Sequence, residues 1–185
     1  MVCVFGVLKT KLGLQIKDMM LSYLEKYCDI LPIEQEPPGK LYEYPAILYA
    51  CKTAVELNEP VLYIHTKGAA NPNMWYQQPV HKMWTQEFGT DKIKKYFEKA
   101  EQIENSVVCP LAGSHKETWF NGFVISPSAA KILLKYLHFD EDRYYFEYRM
   151  CNIKELNVIS AYDGEEDKIF SVDEVNKWIK EHFGK

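Results

Sequence analysis

The segment Val61-Leu-Tyr-Ile-His-Thr-Lys-Gly68 changes abruptly from four apolar residues to an imidazole, a hydroxyl and an ammonium group. The apolar run predicts a strand over residues 61–65 that is buried on both faces, as is typical of a central strand. The small residues Gly68, Ala69 and Ala70 would let a ligand approach the backbone. Because open α/β sheets bind ligands outside the carboxyl ends of their strands, the end of this strand is the first candidate site.

On both sides of this segment, short apolar runs alternate with amphipathic stretches, which predicts an α/β sheet with helices on its faces. In addition to 61–65, strands are predicted at 2–8, 29–33, 107–111, 119–125 and 157–161. Helices are predicted at about 14–27, 43–57, 91–103, 126–137 and 171–183. Residues 67–90 are expected to form a long surface loop with one helical turn near 81–88, and residues 140–150 fit either helix or strand.

Two helix starts carry strong local signals. Ser126 followed by Pro127 places a capping hydroxyl before a proline at the first helical position. Ser171-Val-Asp-Glu174 has the spacing of a capping box, in which the first and last side chains each bond the other's main-chain N–H. We therefore expect helices to begin directly after Ser126 and Ser171.

Composition limits the class of protein. At 185 residues with 47% hydrophobic and 26% charged residues, the chain predicts one globular domain. The 22 Lys and Arg against 26 Asp and Glu give a net charge of −4, which argues against a general nucleic-acid-binding surface. The sequence has no run of eighteen apolar residues and no signal-peptide pattern, so we expect no transmembrane segment. The five widely spaced cysteines predict buried thiols in a reducing cytoplasm.

The polar end of the strand suits an anionic ligand. A lysine next to main-chain N–H groups, here Lys67 before Gly68, holds a phosphate as a point charge beside oriented dipoles. The same residues also fit a solvated loop lysine and a capped histidine at the end of a sheet. The spacing alone leaves both interpretations open.

The run Leu62–Gly68, together with Tyr42-Glu-Tyr-Pro45 before it, resembles a group of glycosyltransferase-like proteins that carry an HTKG signature. Such proteins are common among capsule and cell-surface polysaccharide genes. The similarity includes a tryptophan-containing loop after the signature, around Trp75 or Trp84. It also includes the stretch Trp119-Phe-Asn-Gly-Phe123.

The order of strands and helices over residues 1–150 is similar to the GT-A fold of nucleotide-diphospho-sugar transferases. The resemblance implies a three-layer, Rossmann-like mixed sheet with helices on both faces, in a single glycosyltransferase-like domain over 1–185. It implies a nucleotide-binding half at 1–70, a half for the donor sugar and acceptor at 71–150, and a C-terminal strand and helix at 151–185. The implied activity moves a sugar from a nucleotide-diphospho-sugar to a glycan or lipid-linked acceptor, in the cytoplasm or at the inner membrane face.

The resemblance places the donor diphosphate at His65, Thr66, Lys67 and Gly68. Most GT-A transferases have Asp-x-Asp at this position, which holds a divalent metal, whereas this chain has no carboxylate there. Departure of a nucleoside diphosphate still requires its negative charge to be neutralised. Lys67, helped by His65, would supply that charge, so we expect diphosphate binding without a metal ion or other cofactor.

The resemblance also suggests the remaining contacts. The nucleotide is expected near the end of the first strand and on the helix before the donor strand, at Val7, Lys9, Thr10 and Tyr44. The donor sugar and acceptor are expected at Trp75, His115, Trp119 and Asn121. The base that takes the acceptor hydroxyl proton is expected to be Asp142 or Glu147.

Three alternatives compete with this interpretation. The loss of the metal-binding carboxylates also fits a non-catalytic relative that only binds a nucleotide or carbohydrate. A hydrolase would use Cys109 or Cys51 with His65 or His115, although no spacing favours it. A flavodoxin-like phosphate-binding module would require a glycine-rich fingerprint that the sequence lacks.

Overall fold

The computed structural model describes residues 1–36, 43–66, 77–113, 118, 122–138, 153–162 and 169–183. Within these ranges the chain forms a three-layer α/β fold, in which a six-stranded mixed sheet lies between two layers of helices. In chain order the elements are β1 (Val2–Leu8), α1 (Lys11–Leu24), β2 (Asp29–Gln35), α2 (Tyr44–Leu57), β3 (Val61–His65), α3 (Gln77–Phe88), α4 (Ile93–Gln102), β4 (Ser106–Cys109), β5 (Ala112–Gly113), β6 (Phe123–Ile125), α5 (Pro127–Tyr136), β7 (Asn157–Ser160), β8 (Ile169–Phe170) and α6 (Val172–Phe183). None of these helices has the length and apolar character needed to cross a membrane.

β3 is the central strand that its apolar sequence predicts, and all five of its residues are buried. It pairs in parallel with β1, which pairs in parallel with β2, and it pairs antiparallel with β6 on its other side. The full order is β2-β1-β3-β6-β4-β7, and β6 is the strand of these six that runs in the opposite direction. The carboxyl ends of β1, β2 and β3 therefore meet at one edge of the sheet.

Alternation along the strands divides the core between the two faces of the sheet. Cys3, Phe5 and Val7 of β1 pack in the cluster formed with α1, α3, α4 and α6. Val4 of β1 and Tyr63 of β3 pack in the other cluster, which is formed with α2 and α5. Successive strand side chains point to opposite faces, so the apolar runs predicted as fully buried strands supply both layers of the core.

β2 lies at an edge of the described sheet. Pro32 pairs with Phe5 of β1, and the side chains of Pro32 and Glu34 are exposed. Proline has no main-chain N–H for a sheet ladder, and it is tolerated in strands mainly at such edges. β2 thus differs from β1 and β3, whose sequences are almost entirely apolar.

The two helix starts that carry local signals are confirmed. Ser126 Oγ accepts a hydrogen bond from the Ala129 N–H at 3.2 Å, and α5 begins at the next residue, a proline. At α6, the Ser171 N–H donates to Glu174 Oε2 at 2.7 Å, and the Glu174 N–H donates to Ser171 Oγ at 3.3 Å. Both helices begin where the capping residues predict.

The helix α1 begins at Lys11, three residues before the predicted start. Thr10 explains the difference, because its Oγ1 accepts a hydrogen bond from the Gly13 N–H at 2.9 Å and caps the helix. Gly13 packs tightly on the end of β1, since a Cβ built there would lie 1.9 Å from the Leu8 carbonyl oxygen. The amino end of α1 is therefore held against the carboxyl end of β1.

The helical turn predicted near 81–88 is confirmed as part of a longer helix, because α3 occupies Gln77–Phe88 where the sequence predicted mostly loop. The helix has four completely buried apolar side chains at helical spacing, which are Val80, Met83, Trp84 and Phe88. The polar composition of the segment concealed this apolar stripe, which packs against the sheet and α1.

Other predictions fall partly outside the described residues. Of the strand predicted at 119–125, Phe123–Ile125 forms β6, and residues 119–121 lie outside the described residues, as does the segment 140–150. The short parallel pair of β5 and β8 was not predicted. Two-residue strands carry no alternation that a sequence pattern could reveal.

Candidate functional site

The carboxyl end of β3 is joined to that of β1 through Thr66. The Thr66 N–H donates to the Gly6 carbonyl oxygen at 2.9 Å, and Thr66 Oγ1 accepts a hydrogen bond from the Leu8 N–H at 3.0 Å. Gly6 lies directly opposite His65 in the parallel pairing. These contacts fix the point at which the chain leaves β3, just before Lys67 in the sequence.

β1 and β3 flank the point where the strand order reverses. The chain passes from β1 to β2 on one side of β1 and then to β3 on the other side. In open α/β sheets such a reversal opens a crevice at the carboxyl ends of the two strands, and ligands bind there. The predicted diphosphate residues His65 and Thr66 both lie at this edge.

His65 is a buried imidazole held by a carboxylate. Its Nε2 lies 3.0 Å from Oε1 of Glu43, the residue directly before α2. Because an ionised carboxylate only accepts hydrogen bonds, this contact assigns a hydrogen to Nε2. The ring stacks on Tyr63, with centroids 5.9 Å apart, and it meets Trp84 edge to face. The ring is therefore fixed in orientation, and its Nδ1 is the nitrogen left to meet another group.

Two polar atoms at this edge are buried without a hydrogen-bond partner in the described part of the chain, and they are His65 Nδ1 and Trp84 Nε1. The centroids of the two rings are 5.5 Å apart with an interplanar angle of 72°. His65 is 9% exposed and Trp84 is 0% exposed. Since buried polar groups in native proteins nearly always have a partner, these two atoms on neighbouring side chains are candidates to contact a water molecule or a ligand.

Gly122 allows the Trp84 indole to reach this edge. A Cβ built on Gly122 would lie 2.4 Å from Trp84 Nε1 and 2.8 Å from Cε2, which leaves no room for a side chain. Because β6 runs antiparallel to β3, the chain enters β6 at the carboxyl end of β3. Trp84 and Gly122 thus complete the surroundings of His65 from two further elements.

The four predicted nucleotide contacts lie near the same edge. The Val7 side chain is buried in the core, so it offers a ligand only its main chain. Lys9 forms an ion pair with Glu36, and Thr10 caps α1. Tyr44 is half-buried in the first turn of α2. The structure brings these residues together, and the Lys9 and Thr10 side chains already have structural partners.

Eight other predicted site residues lie outside the described residues: Lys67, Gly68, Trp75, His115, Trp119, Asn121, Asp142 and Glu147. Sequence reasoning missed the role of Glu43, whose only signal was its position before a proline-containing helix start. An acidic residue there is common for reasons of helix polarity alone. Its contact with His65 depends on how α2 docks on the sheet.

Three carboxylates near the carboxyl ends of β2 and β3 are each paired with a basic side chain. Glu43 pairs with His65 and Glu36 with Lys9, and Glu34 pairs with Lys17 at 3.0 Å. Within the described ranges, no three His, Cys, Asp or Glu side chains come close enough together to hold a metal ion. The charges of Glu36 and Glu34 are thus balanced by lysines, and Glu43 is held by its contact with His65.

The thiols do not support the hydrolase alternative. Cys3, Cys28, Cys51 and Cys109 are buried and free of disulfides. Burial raises the pKa of Cys51 to about 12, and Cys109 Sγ lies 3.3 Å from the Leu111 carbonyl oxygen. A nucleophilic cysteine needs an accessible thiolate. These thiols instead act as small hydrophobic groups, as their sequence neighbourhoods predict.

Comparisons with protein-family models, with curated proteins and with solved structures found no match to this chain.

Proposed function

We propose that this protein is a glycosyltransferase that binds a nucleotide-diphospho-sugar at the carboxyl ends of β1 and β3 and transfers the sugar to a glycan or lipid-linked acceptor. One observation carries the proposal. His65, a buried imidazole held by Glu43, ends the central strand at the reversal of strand order and is followed in the sequence by Thr66-Lys67-Gly68. The resemblance of this run to HTKG-type glycosyltransferases supplies the reaction class, and its position at the ligand-binding edge supports it.

The proposal requires positive charge where the diphosphate leaves. The Lys67 ammonium, assisted by the main-chain N–H of Gly68, neutralises the leaving group without a metal ion. The amino end of α1 also favours an anionic ligand here. The helix begins at Lys11 beside the end of β1 and has no acidic residue in its first turn. The positive end of its dipole is therefore not offset by a carboxylate.

The other predicted residues keep their roles in this proposal. Asp142 or Glu147 takes the proton of the acceptor hydroxyl. The nucleotide lies along the end of β1 and the start of α2, and the donor sugar and acceptor contact the aromatic and polar residues Trp75, His115, Trp119 and Asn121. The reaction takes place in the cytoplasm or at the inner face of the membrane.

A binding-only relative of the fold is the second candidate, and the ion pairs at this edge favour it. Glu36 and Glu34 each already contact a lysine ammonium, and Glu43 already contacts the His65 imidazole. A carboxylate engaged in this way is a poor base for an acceptor hydroxyl. Turnover of the donor would therefore depend on Asp142 or Glu147.

A double Asp142→Asn, Glu147→Gln variant separates the two candidate functions. It abolishes turnover of the donor in a transferase, whereas a binding-only protein binds the donor but never consumes it.

A thermal-shift panel of nucleoside diphosphates and nucleotide sugars, each with and without manganese, tests the proposal. A ligand at 100 times its Kd stabilises the folded state by about 2.7 kcal/mol, a rise in Tm of roughly 5–10 °C for a chain of this size. We expect one nucleoside diphosphate to produce such a rise equally with and without manganese. A strict requirement for manganese contradicts metal-independent binding, and no response to any nucleotide contradicts the proposed function.

The substitution Lys67→Ala provides the residue-level test. We expect it to abolish the rise in Tm caused by the nucleotide and to leave the Tm of the unliganded protein nearly unchanged. Lys131→Ala is the matched control, because Lys131 is an exposed lysine on α5. If both variants retain the full nucleotide response, Lys67 does not bind the diphosphate.

A further inference from the structure

Building on the proposed function, we infer that His65 Nδ1 and Trp84 Nε1 together form a subsite for one hydroxyl group of a sugar ring. These two atoms are buried and have no hydrogen-bond partner in the described part of the chain. Leaving a buried donor and a buried acceptor unsatisfied destabilises the folded state. Such a cost is commonly accepted at a site that a ligand completes.

The chemistry of the two atoms specifies the class of group that they bind. Nε2 of His65 donates to Glu43, so in the tautomer whose single ring hydrogen is on Nε2 the Nδ1 atom is an acceptor. The Trp84 indole N–H can only donate. A phosphate or carboxylate oxygen has no hydrogen to offer Nδ1, and an ammonium has no lone pair to accept from Nε1. A hydroxyl group satisfies both nitrogens through one oxygen atom.

The two unpaired nitrogens belong to side chains that are direct neighbours. The centroids of the His65 and Trp84 rings are 5.5 Å apart, and the rings meet edge to face. Gly122 brings no side chain against the N–H edge of the indole, where a Cβ would lie 2.4 Å from Nε1. The main chain at Gly122 therefore lies close to the indole nitrogen.

The position of the pair favours a sugar hydroxyl over a water molecule. In the proposed function the diphosphate is held by the residues that follow His65 and Thr66, and the donor sugar is bonded directly to that diphosphate. A sugar hydroxyl therefore comes within reach of His65 when the donor binds. A permanently bound water molecule would satisfy the same two atoms, and the experiment below distinguishes it.

The indole N–H of Trp84 can be followed directly by ¹H–¹⁵N NMR. The chain has four tryptophans, and the signal that Trp84→Phe removes identifies the one required. The probes are the methyl glycosides of glucose, galactose, mannose and N-acetylglucosamine, each alone and with the nucleoside diphosphate that raises the Tm most. We expect at least one glycoside to shift the Trp84 signal saturably and to shift the ¹⁵N resonance of His65 Nδ1, while the signal of Trp178 stays unchanged.

Substitutions provide the second measurement. We expect Gly122→Ala to displace the indole and abolish the glycoside response, provided that the rest of the spectrum remains that of a folded protein. Trp84→Phe should weaken binding of the nucleotide sugar by about fivefold, as expected for one lost hydrogen bond, with little effect on the nucleoside diphosphate. If no glycoside and no nucleotide sugar moves the Trp84 signal, the pair binds only water and the inference is overturned.

The result is distinguishable from failure of the proposed function. A protein that responds to glycosides at Trp84 but binds no nucleotide has the hydroxyl subsite and is not a nucleotide-sugar transferase. A protein that binds a nucleotide sugar and its nucleoside diphosphate equally well, with an unchanged Trp84 signal, retains the proposed function and lacks the subsite.

Discussion

The contact between Glu43 and His65 determines the orientation of the imidazole at the carboxyl end of β3. Glu43 Oε1 accepts from Nε2 at 3.0 Å, and both side chains are largely buried. The carboxylate thereby determines which nitrogen of His65 carries a hydrogen and which faces other groups. The orientation of the imidazole depends on a residue from a different element, and no spacing within residues 61–68 encodes it.

Removal of Glu43 should therefore be costly for stability. We predict that Glu43→Ala lowers the free energy of unfolding by about 1–3 kcal/mol, because it leaves the buried His65 Nε2 without its acceptor. Urea denaturation followed by circular dichroism measures the effect. Glu56→Ala is the matched control, since Glu56 is an exposed residue of α2 and its loss should change stability by less than about 0.5 kcal/mol. Equal effects of the two substitutions would argue against the His65 contact.

Local signals predict single elements more reliably than the contacts between elements. The starts of α5 and α6 follow from capping groups within a few residues, and β3 follows from its own apolar run. The position of β6 between β3 and β4 has no local signal, because strand order depends on pairing between distant segments.

The residues of the candidate site likewise include some that the sequence predicts and some that it does not. His65 and Thr66 could be predicted because they end a strand whose sequence is unmistakable. Glu43 and Trp84 could not, because they reach His65 only after α2 and α3 have docked on opposite faces of the sheet.

The helices α3 and α4 are joined by a buried carboxylate. Glu87 is completely buried, and its Oε2 accepts a hydrogen bond from the Tyr96 hydroxyl at 2.6 Å. Its Oε1 accepts a second bond from Lys92 Nζ at 3.1 Å. A buried charge is tolerated when such partners surround it. These bonds hold the helix that carries Trp84 in register with α4.

We predict that Tyr96→Phe lowers the free energy of unfolding by about 1–3 kcal/mol, because it removes the donor to Glu87 and keeps the aromatic ring beside Phe88. Chemical denaturation measures this loss. Tyr49→Phe serves as control, since Tyr49 is 42% exposed and loses no buried hydrogen bond. A Tyr96→Phe protein as stable as the Tyr49→Phe protein would mean that the carboxylate does not depend on the hydroxyl.

At the scale of the whole molecule, the buried thiols link stability to pH. Burial raises the pKa of Cys28 from its usual 9.0 to about 11, and that of Cys51 to about 12. Burial likewise raises the pKa of Cys3 well above its usual value, and the nearby Cys28 adds to the effect. The folded state therefore keeps protons that the unfolded chain releases above pH 9.

The sign of the resulting pH dependence follows from linkage. The contribution of these thiols to stability is complete below pH 9 and decreases as the pH rises from 9 toward 11–12. We predict a free energy of unfolding that falls over this range, and alkylation by iodoacetamide at pH 8 that is slow in the native protein and fast in urea. Mass spectrometry counts the modified cysteines. Rapid native alkylation of Cys51 would contradict its burial.

The proline in β2 has a consequence for the protein in concentrated solution. An edge strand with a continuous ladder of free N–H and C=O groups can recruit a strand from a neighbouring molecule and seed intermolecular aggregation. Pro32 interrupts that ladder in the middle of β2, and the exposed Glu34 puts a charge two residues further on. An incoming strand would lose a hydrogen bond at one position and meet a carboxylate nearby, so this border of the sheet discourages chains from stacking edge to edge.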